Sequence, residues 1–305
     1  TTWSPPGLMH PLLEDIVRTR LKCPVCPAPE RPTAGSDEDG VSTFQCGACG
    51  FRMTVSSNGL LTALPPHLAG TAQENIAYYD AMACGGGGRL SSRSRGRNHQ
   101  HKCGAVLRHL RLAPGGAART VLEFGIGLGS HAEAVVDAGA ACAGLDISPE
   151  LLKFVQKNSP KLQGSLFAAA DATSLPFQEE SFDAVFCVAA LHHLVEPLDG
   201  VRELLRVLKP GGRFCFLEPK RFYPAQLMGY LRNPKVEAGT MRTTRGRILR
   251  CLRAMNVAEA SAEPLIYTPN RPRALAPLYD RVDWLLGRMP LGGLLSVMFC
   301  IHGVK

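Results

Sequence analysis

An α/β fold, with a parallel sheet covered by helices on both faces and a small cysteine-bearing domain in front of it, is what the sequence predicts. Three observations carry this. From Thr120 onward short apolar runs alternate with helix-length segments: Val121-Leu122-Glu123-Phe124, Ala143-Gly144-Leu145, Ala184-Val185-Phe186-Cys187-Val188 and Arg213-Phe214-Cys215-Phe216-Leu217. Strands separated by helices pair in parallel, because the crossover helix carries the chain back to the starting edge. The first run enters the glycine-rich stretch Gly125-Ile126-Gly127-Leu128-Gly129, and far upstream four cysteines form two Cys-x-x-Cys pairs.

In chain order, Pro11 to Arg20 reads as a short lead-in helix with Leu12, Leu13, Ile16 and Val17 on one side. Residues 21–64 hold the paired cysteines among short strand-like runs and turns, so 1–64 is expected to form one unit. Residues 65–117 are expected to be a linker and helical lid. They contain Cys84-Gly85-Gly86-Gly87-Gly88-Arg89 and Ser91-Ser92-Arg93-Ser94-Arg95-Gly96, which cannot supply a core. Residues 118–305 are expected to form the main domain, with Leu294 to Val304 as a last strand near the sheet edge. The 305 residues fit one large domain plus a small accessory one, and the 45% apolar content fits a real core. No apolar window approaches the ~20 residues needed to span a bilayer. The first residues lack a secretory-signal organisation, so the cytoplasm is the expected compartment.

The glycine-rich stretch is a strand–turn–helix junction. Its glycines permit dihedrals that other residues avoid and let a ligand touch the backbone, and the helix start offers free N–H groups to an anionic end. Asp146 closes the next strand, where a ribose diol is gripped in nucleotide folds. Nicotinamide and flavin enzymes share this logic, but the glycine spacing is not theirs. Ser130 follows the third glycine, and Glu123 stands just before the loop, where an acid would meet a cationic ligand.

Six motifs in order resemble the class I S-adenosylmethionine-dependent methyltransferases, in the ubiquinone/menaquinone-biosynthesis-like branch, over roughly residues 100–305. They are Glu123-x-Gly125-x-Gly127-x-Gly129, Leu145-Asp146-Ile147-Ser148, Ala170-Asp171-Ala172-Thr173-Ser174-Leu175-Pro176-Phe177, Ser181-Phe182-Asp183-Ala184-Val185, Leu191-His192-His193-Leu194 and Arg206-Val207-Leu208-Lys209-Pro210-Gly211-Gly212. The resemblance implies a Rossmann-like, seven-stranded, mostly parallel sheet. It implies S-adenosyl-L-methionine as cofactor, with Glu123, Gly125, Gly127 and Gly129 toward its methionine end. Asp146 and Ile147 would hold the ribose, Asp171 and Ala172 the adenine, and Val188 would lie near the sulfonium. The family's region before the core forms a lid, here Asn98 to Cys103, and its insert after the fifth strand, here 222–230, lines the acceptor pocket.

For the acceptor, a base helps a hydroxyl or thiol, and histidine titrates in the useful range. His193 is the first candidate and His192 the second; packing is the alternative for both. The stretch Val188-Ala189-Ala190-Leu191 has no Asn-Pro-Pro-Tyr-type motif and suits a nonpolar pocket wall.

Cys23-Pro24-Val25-Cys26 and Cys46-Gly47-Ala48-Cys49 lie 19 residues apart (27 to 45) and offer four thiolates for tetrahedral, structural zinc. The pattern resembles the zinc ribbon fused to many bacterial methyltransferases, some acting on ribosomal RNA and others on small molecules. The net charge of +8 concentrates in Arg89, Arg93, Arg95, Arg97 and Lys102, and in Arg242, Arg245, Arg247, Arg250 and Arg253. The ribbon itself is not basic, so a small-molecule acceptor methylated on oxygen, sulfur or carbon is the leading expectation. RNA base methylation is the runner-up, and a non-catalytic cofactor-binding interaction protein is a third reading. The oligomeric state is not legible.

Overall fold

The structure, a computed structural model, describes residues 9–28, 30–36, 41–68, 70–85, 96–257, 259–266, 268, 272–289 and 292–305. Helix α1 (Pro11–Thr19) starts on a proline, is capped by His10 Nδ1 accepting from Leu12 N at 3.2 Å, and buries Leu13, Ile16 and Val17. Four short strands follow as an antiparallel meander: β1 (Thr33–Ser36), β2 (Ser42–Gln45), β3 (Arg52–Val55) and β4 (Leu60–Thr62). Helices α2 (Gly70–Cys84) and α3 (Arg97–Leu110) lead to the main sheet. Most of the glycine and Ser/Arg run between them lies outside the described residues.

The main sheet then builds from β5 (Thr120–Phe124), α4 (Ser130–Asp137), β6 (Ala141–Asp146), α5 (Pro149–Asn158), β7 (Leu166–Ala169), β8 (Phe182–Val188), α6 (Pro197–Val207) and β9 (Leu208–Pro219). It ends with α7 (Pro224–Arg232), α8 (Arg245–Ala254), β10 (Glu259–Leu265), α9 (Ala276–Arg288) and β11 (Met298–Val304). Strands β5, β6 and β7 are buried along their whole length, as strands covered on both faces must be. The pleat deals their side chains to two cores. Leu122, Phe124 and Leu145 join α1 and α6 on one face, while Val121 and Cys142 join α3, α4 and α5 on the other. Truncating Leu122 to alanine would cost about 2–5 kcal/mol.

Seven strands take the order β7-β6-β5-β8-β9-β11-β10. The pairs from β7 to β9 are parallel, and β11 runs antiparallel between β9 and β10. The chain winds from β5 outward to β7, then crosses back to β8 on the other side of β5. Beyond the carboxyl ends of β5 and β8, connections leave in opposite directions and open a crevice.

The cysteine unit differs from the appended module expected from the sequence. Its last strand, β4, pairs in parallel with β7, so the meander extends the main sheet to eleven strands. Within 65–117, the stretch expected as a linker and helical lid, α2 packs on α5, and α3 packs on β9 and α4. Among the described residues, no helix is long and apolar enough to cross a membrane.

Candidate active site at the sheet switch point

A cavity of about 280 Å³ occupies this crevice. Its floor is the loop after β5, where Gly125, Gly127 and Gly129 have φ of +69°, +52° and +75°. A Cβ on Gly125 would stand 2.5 Å from the Ala190 side chain, so only glycine lets the loops after β5 and β8 meet. Gly125 N and Ile126 N both donate to Leu145 O, at 2.8 and 2.9 Å, which locks the loop to β6.

Asp146 ends β6 and lines the cavity. It is 8% exposed and accepts from Gly127 N and Ser148 N at 3.2 Å each. Burial pushes its carboxyl up to about 6 despite those donors. Ile147, Ala170, Ala172 and Val188 also line the cavity, with Phe124, Ile126, Leu128, Ala189 and Leu194. Asp171 stands apart from that lining. Its Oδ1 accepts from Thr173 N and Thr173 Oγ1, both at 2.8 Å, closing its own turn.

Glu123 is 1% exposed on the α3/α4 side of β5, and neither carboxylate oxygen has a hydrogen-bond partner among the described residues. Burial holds its carboxyl well above the usual range. The ring it faces is His131, whose Nδ1 lies 3.7 Å from Glu123 Oε1 and which borders the cavity.

The two histidines expected at the acceptor end occupy opposite states. His192 is buried between Glu218 (Nδ1–Oε2 2.7 Å) and Glu237 (Nε2–Oε2 3.3 Å). Burial favours the neutral ring, yet the two carboxylates hold the imidazolium above its ordinary pKa. Both His192 nitrogens face carboxylates, and the ring is not part of the cavity lining. His193 does line the cavity. Its Nδ1–H donates to Val236 O at 2.9 Å, which fixes the tautomer, so Tyr79 Oη–H donates to Nε2 at 2.9 Å. Burial, then the charge on His192, push His193 down to about 3. Its lone pair is occupied and weakly basic.

Asn75, Glu218 and Glu237 are site residues without a sequence signal. Asn75 donates to His193 O at 3.3 Å across 118 positions, and its buried Oδ1 has no partner among the described residues. Glu218, fully buried at the end of β9, accepts from Ala190 N at 2.9 Å and Leu191 N at 2.8 Å as well as from His192. That carboxylate pulls the chain after β8 inward and leaves Ala189 at φ +56°, a strained backbone on the cavity wall. Of the insert 222–230, Phe222, Tyr223 and Pro224 line a separate cleft with Leu294 and Leu295, not the cavity.

The four cysteines meet as expected from their spacing. Cys23 and Cys49 Sγ are 3.6 Å apart, as are Cys26 and Cys46, and all four thiols lie within 4.8 Å of one another. Tetrahedral Zn–S bonds of about 2.3 Å place sulfurs about 3.8 Å apart. The first knuckle is stitched to the loop after β7. Ser174 Oγ donates to Pro24 O at 2.8 Å, Lys22 N to Pro176 O at 3.0 Å, and Gln178 N to Arg20 O at 2.7 Å. That loop begins at Ala170 and Ala172, on the cavity wall.

Part of the arginine clusters is engaged within the fold, while Arg242, Arg245, Arg250 and Arg253 are exposed and Arg250 lines an open pocket with Arg202 and Arg247. Arg97 is bound by Asp280 and Asp283, Lys102 is half-buried, and Arg247 holds Glu196 at 3.1 Å. Arg89, Arg93 and Arg95 lie outside the described residues.

Residues 122–216 match a family model described as a methyltransferase domain. The demethylmenaquinone methyltransferase of Clavibacter sepedonicus is 39% identical over 102 residues, which is 33% of this chain and 42% of the relative. The 2-methyl-6-phytyl-1,4-hydroquinone methyltransferase of Synechocystis is 38% identical over 94 residues, 30% of this chain and 30% of that relative. The chain thus spans less than half the length of these curated relatives. Among solved structures, geranyl diphosphate C-methyltransferase from Streptomyces coelicolor superposes with a TM-score of 0.57 at 13% identity, covering 79% of this chain and 100% of that one. The complex of the Haloferax volcanii Trm112 methyltransferase activator with a methyltransferase gives 0.53 at 22% identity, covering 74% and 96%. These two likenesses are of fold. In sequence, the stretch that carries the glycine loop, Asp146 and the His192–His193 pair is similar to methyltransferase domains, among them that of a demethylmenaquinone methyltransferase.

Proposed function

We propose that the protein transfers the methyl group of S-adenosylmethionine to a small-molecule acceptor with hydrophobic bulk, through an oxygen, sulfur or carbon nucleophile. The carrying observation is the cavity itself: apolar walls from Phe124 to Leu194, with buried Glu123 below the loop and Asp146 at its side. The residues fit the cofactor, because a side chain on Gly125 or Gly129 would collide with its neighbours and the Glu123 oxygens lack partners among the described residues. Gly125, Gly127, Gly129 and Glu123 would hold the methionine end, and Asp146 with Ile147 the ribose. Ala172 would flank the adenine, whose amine would meet Oδ2 of Asp171, and Val188 would border the sulfonium.

When bound, the cofactor supplies a methyl group already activated for transfer. The protein's part is alignment and exclusion of water. Tyr79, fixed by its bond to His193, and Asn75, with its unspent Oδ1, are the polar groups that would orient the acceptor. The four cysteines would hold structural zinc, which leaves no coordination position for chemistry. In this reading the ribbon serves the cofactor by bracing the 170–178 loop through Pro24. All eleven cysteines are free thiols, in keeping with a reducing compartment such as the cytoplasm.

Incubation with S-adenosylmethionine and an alkylated hydroquinone, a thiol or an RNA tests the reading. S-adenosylhomocysteine should form with an apolar small acceptor. Turnover on RNA alone, or on no acceptor at all, would overturn it. Cys46→Ser should weaken cofactor binding about tenfold by calorimetry, since one lost brace is worth about 1–1.5 kcal/mol; unchanged affinity would remove the ribbon's role at the cavity.

A further inference from the structure

We propose a second metal site, separate from the four-cysteine cluster, in which His99, Cys103 and His131 bind a zinc-class divalent cation beneath the cofactor loop. His99 and Cys103 lie one turn apart on α3 and so share a face. Cys103 Sγ is 3.3 Å from His99 Nε2, and the His99 and His131 rings are 4.8 Å apart at their centres. The donor atoms of all three residues lie within 4.8 Å of one another. They come from two helices, α3 and α4, that pack together over β5.

A second, independent observation points to a ligand there. His131 Nε2 is buried without a hydrogen-bond partner among the described residues, while its Nδ1 faces Glu123 at 3.7 Å, and both Glu123 oxygens are likewise unpartnered. A buried ring nitrogen without a partner requires an explanation. A cation on Nε2 supplies one: it turns Glu123–His131 into the carboxylate–histidine–metal arrangement that fixes a ligand's tautomer. The opposing charge beside the site is Lys102, next to Cys103 in the chain.

Two imidazoles and one thiol suit zinc, or cobalt in its place, and not magnesium or calcium, which demand oxygen ligands. Three protein ligands leave one position open, the feature that separates reactive zinc from the closed four-cysteine kind. Because His131 also borders the cavity, that position lies next to the proposed methyl-transfer site.

Metal content decides this without any assay of methyl transfer. The apo-protein, reconstituted with zinc and desalted, should hold two equivalents per chain. Cys103→Ser and His99→Asn should each reduce this to one, with the four-cysteine metal retained. X-ray absorption on the wild-type protein gives a check that needs no variant: an average shell of nitrogen and fewer than three sulfurs per zinc is expected. One equivalent in a four-sulfur shell, or two equivalents undisturbed in both variants, would overturn the site. Reconstituted with cobalt, the wild-type spectrum should respond to added azide through the open position; an inert spectrum counts against it.

Discussion

Two acid–histidine pairs flank the cofactor cavity, and they are built on opposite principles. On the wall after β8, Glu218 and His192 sit 2.7 Å apart, and the carboxylate also receives two backbone N–H groups. On the floor, Glu123 and His131 stand 3.7 Å apart with three polar atoms unmatched. Both carboxylates are withdrawn from water. In the wall the desolvation is offset by hydrogen bonds from Ala190 N, Leu191 N and the His192 ring, so the pair is closed. On the floor it is not offset, burial drives both groups toward their neutral forms, and the binding potential is held for a ligand. A satisfied polar cluster shapes a site; an unsatisfied one is where something binds.

The largest expected effect tests the wall. Glu218→Ala leaves the His192 imidazolium and two buried N–H groups without their acceptor. Losing one member of a buried pair costs about 3–5 kcal/mol, so denaturant unfolding should show a loss of that size. The stability that His192 draws from its carboxylates is present below its ordinary pKa of 6.5 and is lost as pH rises through its raised folded value. Glu123→Gln, by contrast, should leave folding within about 1 kcal/mol while weakening ligand binding. If the two variants destabilise equally, the floor is structural too and the contrast collapses.

The contrast also separates what the sequence makes legible from what it does not. The glycine loop, Asp146 and the cysteine pairs are local patterns, where a few neighbouring residues dictate the backbone or the ligand geometry. A seven-stranded, mostly parallel sheet follows from the motif resemblance, and the structure has it within a sheet of eleven strands. Glu218 is different: it is an ordinary strand-end acid until β9 pairs with β8 and sets it under Ala190 and Leu191. Asn75 and Tyr79 reach His193 from more than a hundred positions away, through the packing of α2. The parallel join of β4 to β7 leaves no periodicity to read, since three residues suffice for it. Histidine residues in a doublet look alike in sequence; only the carboxylates around His192 and the carbonyl beside His193 tell them apart.

Asp146 lies between the two extremes, with two donors and yet a carboxyl raised to about 6 by burial. A raised carboxyl means the folded chain holds its proton more tightly than the unfolded one. The group therefore removes stability as pH climbs from about 4 to about 6. Cofactor binding should run the other way, because a ribose diol donates to the ionised form. Affinity measured by calorimetry should fall up to tenfold per unit as pH drops below about 6. Asp146→Ala should weaken binding about 10- to 100-fold, as a lost hydrogen bond to a charged group costs about 1.5–3 kcal/mol, and should erase that pH dependence. A profile that keeps its inflection in the variant would assign it to another group.

The smallest effect belongs to His193, and its smallness is informative. With its pKa near 3, Nδ1–H on Val236 O and Nε2 accepting from Tyr79, this ring is neutral and engaged across the working pH range. A general base would need a free lone pair and a pKa closer to neutrality. His193→Gln retains a donor and an acceptor, so turnover with a small acceptor should fall by less than about tenfold, the value of one neutral hydrogen bond. The pH profile of kcat should keep its shape. A loss of about a hundredfold or more, together with a vanished inflection near neutral pH, would restore the ring as a base. The wall would then be a catalytic surface, and the division between a closed wall and an open floor would fail at the residue where the two meet.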